Sequence, residues 1–142
     1  MKQGIDVSYE DLPDINKEEL ISIDAKFLEG KKFGEYIAFL HIDRFNDVHV
    51  NLAVIGTSIF DNQDKIIPTK YNISDVKAAI RALSVDYVLK YRRVIFASAS
   101  KDKLKLYYRY AKYFEKKYKH AYKSKIKKHP HYGVYYFVAT CF

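Results

Sequence analysis

The stretch from Ser74 to Ala97, SDVKAAIRALSVDYVLKYRRVIFA, decides the fold because it joins an amphipathic helix to an apolar strand. Ser74 is placed to cap this helix, and Asp75 in the first turn complements the positive end of the helix dipole. One helical stripe carries the apolar residues Val76, Ala79, Ile80, Leu83 and Tyr87. We expect the helix to end near Lys90. The apolar run from Val94 to Ala97 is typical of a central strand buried on both faces.

A second amphipathic helix is predicted to follow this strand. Ser100 can cap it, with Asp102 in the first turn. Its apolar face holds Leu104, Tyr107, Tyr108, Ala111, Phe114 and Tyr118, and its basic residues fall largely on the opposite face. A basic loop from His120 to His131 then leads into a last strand, from Val134 to Thr140, rich in β-branched and aromatic residues.

Before the central helix, the chain is predicted to form a β-hairpin. The strands run from Glu35 to Asp43 and from Val48 to Ile55, and the intervening Arg44-Phe45-Asn46-Asp47 has the composition of a turn. A further strand is expected from Lys65 to Thr69. Pro68 makes that segment an edge strand or the end of a strand, because proline lacks the backbone N–H that a ladder needs.

The chain is expected to begin with a short strand from Gly4 to Tyr9 and a helix that Asn16 caps and Gly30 ends. A helix that crosses between two strands makes them parallel, whereas a hairpin makes them antiparallel. The order of elements therefore predicts an α+β fold with a mixed, partly parallel sheet flanked by helices. With 142 residues, the chain has the size of a single domain, residues 1–142.

The composition favours a folded protein of a reducing compartment. Apolar residues make up 49% of the chain and charged residues 30%, which excludes a disordered protein. Cys141 is the single cysteine, so neither an intramolecular disulfide nor a cysteine-based zinc cage can form. No apolar run approaches the length of a membrane span, and the polar start lacks the blocks of a signal peptide. We therefore expect a cytoplasmic protein, in a host cytoplasm or a virion if a phage encodes it.

The order of elements resembles the GNAT acetyltransferase fold, and the resemblance is sharpest from Val94 to Phe114. GNAT proteins often have an Asn that opens the helix after a central strand, then an Ala, a Leu-Tyr pair and a Gly-Phe pair. Ser100 stands at the Asn position and Leu106-Tyr107 at the Leu-Tyr position. Lys103 replaces the Ala, and Ala111-Lys112 replace the Gly-Phe pair.

This resemblance implies a role for Tyr107 as the general acid that protonates the departing thiolate of coenzyme A. The alternative interpretation is a core tyrosine on the apolar stripe of its helix. The resemblance also implies acetyl-CoA as a cofactor, bound at the start of the central helix, where Lys70 and Ser74 are candidate contacts. Ser100, at the start of the next helix, is a third candidate. The family's glycine-rich turn is not matched, because the segment from Pro68 to Ser74 contains no glycine. A divergent domain with lost or altered acyl-CoA-dependent N-acyltransferase activity is the first hypothesis.

The charge distribution supports an alternative hypothesis, a non-enzymatic binding module. Residues 1–90 hold 11 basic and 15 acidic side chains, whereas residues 91–142 hold 14 basic and 2 acidic ones. Such a polarised field attracts nucleic acid or an acidic protein partner. The candidate contacts are Arg92, Arg93, Lys123, Lys125, Lys127 and Lys128. A small Lys- and Tyr-rich domain of this kind would suit a phage-encoded accessory or virion protein. The alternative without function is a solvated lysine face.

No metal site is expected from the histidines. His41 and His49 face each other only if the hairpin register permits it, and no carboxylate pair beside them has a recognisable ligand spacing. His129 and His131 lie among cations, which disfavour another cation. Cys141 has no His and Asp arrangement that would make it a nucleophile.

Overall fold

The computed structural model describes residues 4–54, 73–98, 101–118, 126–128 and 135–140. Within these ranges the chain forms one seven-stranded mixed sheet with helices packed on both faces, so the predicted α+β class is confirmed. The strands are β1 (Ile5–Val7), β2 (Lys26–Phe33), β3 (Tyr36–Ile42), β4 (Val48–Val54), β5 (Arg93–Ser98), β6 (Lys127–Lys128) and β7 (Tyr135–Thr140). The α-helices are α1 (Asp14–Ser22), α2 (Ile73–Arg81), α3 (Tyr87–Tyr91) and α4 (Lys101–Tyr118). A single 3₁₀ turn (Tyr9–Asp11) precedes α1, and a π-helical turn (Ala82–Asp86) joins α2 to α3.

The strands lie in the order β1-β2-β3-β4-β5-β7-β6. All neighbours are antiparallel except β4 and β5, which are parallel because the α2–α3 helix crosses between them. The predicted β3–β4 hairpin is confirmed, and its register pairs His41 with His49. The sheet is therefore antiparallel on both sides of a single parallel seam between β4 and β5.

The larger core lies on one face of the sheet, and a smaller core lies on the other. Tyr36, Ala38 and Leu40 of β3 face the larger core, which α2, α3 and α4 cover. The alternating residues Ile37 and Phe39 face the smaller core under α1. This alternation follows from the pleat, which turns successive side chains of a strand to opposite faces. We call these the α4 face and the α1 face of the sheet.

The helix from residue 73 to residue 91 carries the predicted apolar stripe. Ala79, Ile80, Leu83 and Tyr87 are all buried in the larger core. The predicted cap at Ser74 is wrong, because Ser74 lies inside the helix after Ile73. Arg92 ends the helix in the left-handed conformation with φ of 68°, and its N–H donates to the carbonyl of Val88 at 2.8 Å.

The first helix is shorter than the sequence predicts, and the missing part is a strand. α1 begins at Asp14, so Asn16 is not its cap, and it ends at Ser22 rather than at Gly30. Phe27, Leu28 and Gly30 belong to β2, which pairs with β3 along its whole length apart from a bulge between Phe27 and Glu29.

Two further expectations about strands need correction. Lys127 and Lys128 form the edge strand β6 and not part of a loop. β5 is central, as predicted, but it is buried on one face only: Val94 and Phe96 face the larger core, whereas Arg93 and Ala97 on the α1 face are exposed. The strand predicted from Lys65 to Thr69 lies outside the described residues.

Of the helices that the structure describes, none combines the length and the apolar composition that crossing a bilayer requires.

Candidate functional site

The seam between β4 and β5 is paired at one end only. Every residue of β4 pairs with β3, but among the described residues only His49 pairs with β5, opposite Ile95. Both residues stand near the start of their strands. Ladder pairing between β4 and β5 stops there among the described residues, so beyond this pair the N–H groups of β4 that point toward β5 have no partner in a described strand. Unpaired backbone groups in a buried strand each cost about 1–3 kcal/mol, so such a seam favours a polar occupant.

Tyr107 projects from α4 into the larger core. Its side chain is 6% exposed and its ring packs 6.1 Å from the ring of Phe96 on β5. Its hydroxyl group is fully buried and has no hydrogen-bond partner among the described residues, and the same holds for the hydroxyl of Ser84 in the π-helical turn. Burial raises the pKa of Tyr107 well above its ordinary value. This phenol is therefore neutral, and no described residue uses its capacity to donate a hydrogen bond.

The start of α2 does not fit the phosphate grip that the GNAT resemblance implies. Ser74 is exposed in the first turn, but the buried carboxylate of Asp75 occupies the same turn. This carboxylate lies against Gly34 in the β2–β3 turn. A carboxylate already complements the positive end of the helix dipole and opposes a second anion. Lys70 and Ser100 lie outside the described residues.

The β3–β4 hairpin brings four polar side chains together on the α1 face. The rings of His41 and His49 stack with their centroids 4.7 Å apart and their planes 5° from parallel. Nε2 of His49 lies 2.8 Å from Oδ2 of Asp43, and Nδ1 of His41 lies 2.8 Å from Nδ2 of Asn51. We call these four residues the histidine cluster. Because His49 is also the residue that pairs with β5, the cluster stands where the seam begins to open.

Two backbone N–H groups hold the carboxylate of Asp43 in the orientation in which it contacts His49. Its Oδ1 accepts hydrogen bonds from the N–H groups of Phe45 at 2.8 Å and Asp47 at 3.0 Å. Burial alone would raise the pKa of Asp43, but the hydrogen bonds from His49, Asp47 and Phe45 outweigh burial and hold the pKa below its ordinary value. A carboxylate only accepts hydrogen bonds, so Nε2 of His49 carries the proton, and in the neutral ring Nδ1 keeps its lone pair.

The partner of His41 sets its tautomer. Nδ2 of Asn51 also lies 3.5 Å from the carbonyl oxygen of Phe39, an acceptor, which identifies this atom as the amide nitrogen. Asn51 therefore donates to Nδ1 of His41, and the proton of the neutral ring is on Nε2. Burial, with a smaller contribution from charge on His49, lowers the pKa of His41 to about 4. His41 is thus a neutral imidazole that supports the ring of His49.

From the sequence, His41 and His49 are considered only as a metal pair, and Asp43 and Asn51 are not identified as members of a site. The signal was present as alternation: His41 and Asp43 are two apart on one strand, and His49 and Asn51 are two apart on the next. Residues two apart on a strand share a face, so the hairpin register alone decides whether the four meet. Among the described residues, no group of three or more His, Cys, Asp or Glu side chains has an arrangement that could hold a metal ion.

The basic residues predicted to bind an anionic partner do not form one patch. Arg93 pairs with Asp47 at 2.6 Å, while Arg92 is exposed at the end of α3. Lys127 pairs with Tyr136 and lies on the α1 face, whereas Lys128 pairs with Tyr135 and lies on the α4 face. Lys123 and Lys125 lie outside the described residues, as do His129, His131 and Cys141.

Searches against protein-family models, curated proteins and solved structures found no match to this chain.

Proposed function

We propose that the chain is a divergent GNAT-like domain that binds an acyl-CoA in the β4–β5 seam and transfers the acyl group to an amine. The observation that carries this proposal is the half-open seam. A parallel pair in an otherwise antiparallel sheet, with a helix after each strand, is what the resemblance implies for an acyl-CoA cleft. The seam pairs at His49 and Ile95, and no further pair between β4 and β5 follows among the described residues.

The part of acyl-CoA that these residues suit is the thioester arm and not the pyrophosphate. The N–H groups of β4 and the hydroxyl of Tyr107 that have no partner among the described residues offer hydrogen-bond donors to a thioester arm. Asp75 at the start of α2 disfavours the pyrophosphate there. When bound, acyl-CoA would supply an acyl group activated as a thioester.

His49 and Tyr107 are suited to move protons on opposite faces of the sheet. Nδ1 of His49, held by the carboxylate of Asp43, accepts the proton that an acceptor ammonium must lose before its nitrogen can attack. The buried phenol of Tyr107 on the α4 face donates its proton to the leaving thiolate. As the amide bond forms, the acceptor nitrogen loses a second proton, which restores the phenol of Tyr107, and the one proton released overall is the proton that His49 passes to solvent.

Thermal unfolding with acetyl-CoA tests binding. A ligand present at 100 times its dissociation constant stabilises a chain of this size by about 2.7 kcal/mol, or about 9 °C in Tm. Free coenzyme A serves as a product control, and ATP at the same concentration controls for nonspecific anion binding. An unchanged Tm at millimolar acetyl-CoA contradicts the proposal.

Thiol release from acetyl-CoA in the presence of a polyamine or a lysine-containing peptide tests transfer. His49→Gln and Tyr107→Phe should each lower the rate about 10²- to 10⁴-fold and leave the Tm shift by acetyl-CoA in place. Tyr87→Phe is the matched control, because Tyr87 is an equally buried phenol whose hydroxyl already lies 3.5 Å from the carbonyl oxygen of Ala38. The thiol of Cys141 gives a constant background that a blank without amine removes.

A further inference from the structure

The outer face of α4 carries a straight row of four basic side chains. Lys105, Arg109, Lys112 and Lys116 follow one another at spacings of four, three and four residues. At 3.6 residues per turn these positions fall within an arc of about 60°, along about 16 Å of the helix. Lys105, Arg109 and Lys116 are exposed, and Lys112 is half-buried over the ring of Tyr108. We call these four residues the α4 row.

The α4 row is distinguished by its alignment and not by its partners. Among the described cations, Lys90 pairs with Glu29, Arg93 with Asp47, and Lys17 with Asp14, whereas exposed lysines such as Lys26 and Lys77 form no ion pair with a described side chain. Lys105, Arg109 and Lys116 form no ion pair with any side chain that the structure describes. Like charges at spacings of three and four residues repel one another, and an external anion bound along the row relieves this repulsion.

An exposed aromatic ring flanks the row. Tyr113 is 57% exposed, unlike Tyr107 and Tyr108 on the buried side of the same helix. Its position lies about 40° beyond the nearest edge of the row. Cations neutralise a phosphate chain, and an adjacent exposed ring stacks on an unpaired base, whereas an acidic protein offers no such base.

From this arrangement we propose that the α4 row with Tyr113 is a binding surface for single-stranded nucleic acid. The surface lies on the outer side of α4, on the helix face opposite the one that buries Leu104 and Tyr107. The proposal is independent of the seam, because it needs neither the histidine cluster nor acyl-CoA. Lys128, one of the predicted contacts, lies on the α4 face of the edge strand β6, on the same side of the sheet.

Fluorescence anisotropy with a labelled single-stranded 20-mer, as DNA and as RNA, tests this surface. Four phosphate contacts on a single strand give a salt slope near −2.8, so binding should weaken about 50-fold between 50 and 200 mM salt. The variant Lys105→Glu, Arg109→Glu, Lys116→Glu should weaken binding at least about 50-fold at low salt.

A matched control separates the effect of the α4 row on affinity from the effect of the net charge. Lys26→Glu, Lys32→Glu, Lys77→Glu reverses three other exposed lysines, and each triple variant lowers the net charge from +8 to +2. The control should change affinity by less than about fivefold. Equal losses in the two variants would overturn the proposal. If the triple glutamate variant does not fold, the triple glutamine variant replaces it, since surface glutamines are compatible with a helix.

Tyr113 distinguishes a single strand from other anions. Tyr113→Ala should weaken single-strand binding about 5- to 150-fold and leave duplex binding unchanged, because only an unpaired base can stack on the ring. Poly-glutamate should compete poorly. Competition by poly-glutamate at equal charge concentration, or no effect of Tyr113→Ala, contradicts a nucleic-acid surface and indicates an acidic protein instead.

Discussion

His41 is a buried imidazole that stays neutral in the folded chain, and this makes stability depend on pH. Its pKa is lowered to about 4 from the ordinary value of 6.5. Between these values the unfolded chain binds a proton that the folded chain does not, so unfolding is favoured as the pH falls from 6.5 toward 4. We expect the histidine to remove about 2–3 kcal/mol of the free energy of unfolding between pH 7 and pH 4.5.

Urea unfolding of His41→Gln at both pH values isolates this contribution. Glutamine can still accept a hydrogen bond from Asn51 but does not titrate. The free energy of unfolding should fall between pH 7 and pH 4.5 by about 2–3 kcal/mol less in the variant than in the original chain. The titration of Asp43 contributes to the pH dependence of both proteins and therefore cancels in the comparison. An identical pH dependence in the two proteins would show that His41 is not held neutral.

Arg92 is strained by its backbone conformation. It takes φ of 68° where α3 ends, a position that glycine occupies in most helices because it has no Cβ. Arg92→Gly should raise the free energy of unfolding by about 1 kcal/mol. Arg92→Ala is the control, since it removes the same charge and keeps the Cβ. Equal urea midpoints for the glycine and alanine variants would contradict this explanation.

At the scale of the elements, the β2–β3 turn and the start of α2 are fitted to each other. Gly34 in the turn has φ of 62°, and a Cβ atom there would overlap a carboxylate oxygen of Asp75 in α2. Gly34→Ala should therefore lower the free energy of unfolding by about 2 kcal/mol or more.

Asp75→Ala separates the backbone strain of an alanine at position 34 from its overlap with the carboxylate. In the double variant the overlap disappears and only the backbone strain remains, so the two losses should be less than additive in urea unfolding. Strictly additive losses would mean that the carboxylate does not fill the space above Gly34.

Elements whose hydrophobic pattern is strong could be predicted from the sequence, and those decided by their neighbours could not. The hairpin and the stripe on the α2–α3 helix were predicted because their periodicity is clear. The sequence predicts helix as far as Gly30 because apolar residues recur loosely at helical spacing up to Phe27 and Leu28, and the bulge in β2 interrupts the alternation typical of a strand. Pairing with β3 overrides that helical spacing. The true end of α1 is marked by Asp24 at φ of 55°, a less specific signal than glycine.

At the scale of the whole molecule, the candidate sites depend on long-range placement that one sequence does not specify. The GNAT resemblance and the apolar stripe of α4 identify Tyr107 from the sequence. Whether its hydroxyl finds a hydrogen-bond partner among the described residues depends on how α4 packs on the sheet, which the sequence does not specify. The histidine cluster depends on a strand register, which shifts every side chain to the other face if it slips by one residue. Tyr107 and Tyr108 lie on the predicted apolar stripe of α4 and are buried or half-buried, whereas Tyr113 lies outside that stripe and is exposed.

The seam gives a last prediction that concerns the sheet as a whole. Alternate N–H groups of β4 point toward β5, and beyond His49 no residue of β4 pairs with a described residue of β5. Site-resolved hydrogen exchange should therefore show alternation from residue 50 to residue 54: amides bonded to β3 exchange slowly, and the intervening ones exchange rapidly. Acetyl-CoA should slow the rapid set, because a thioester arm in the seam accepts those hydrogen bonds. Uniform protection without ligand would mean that the seam is closed. A rise in Tm with acetyl-CoA that leaves these amides unprotected would place the ligand elsewhere and overturn the seam as its site.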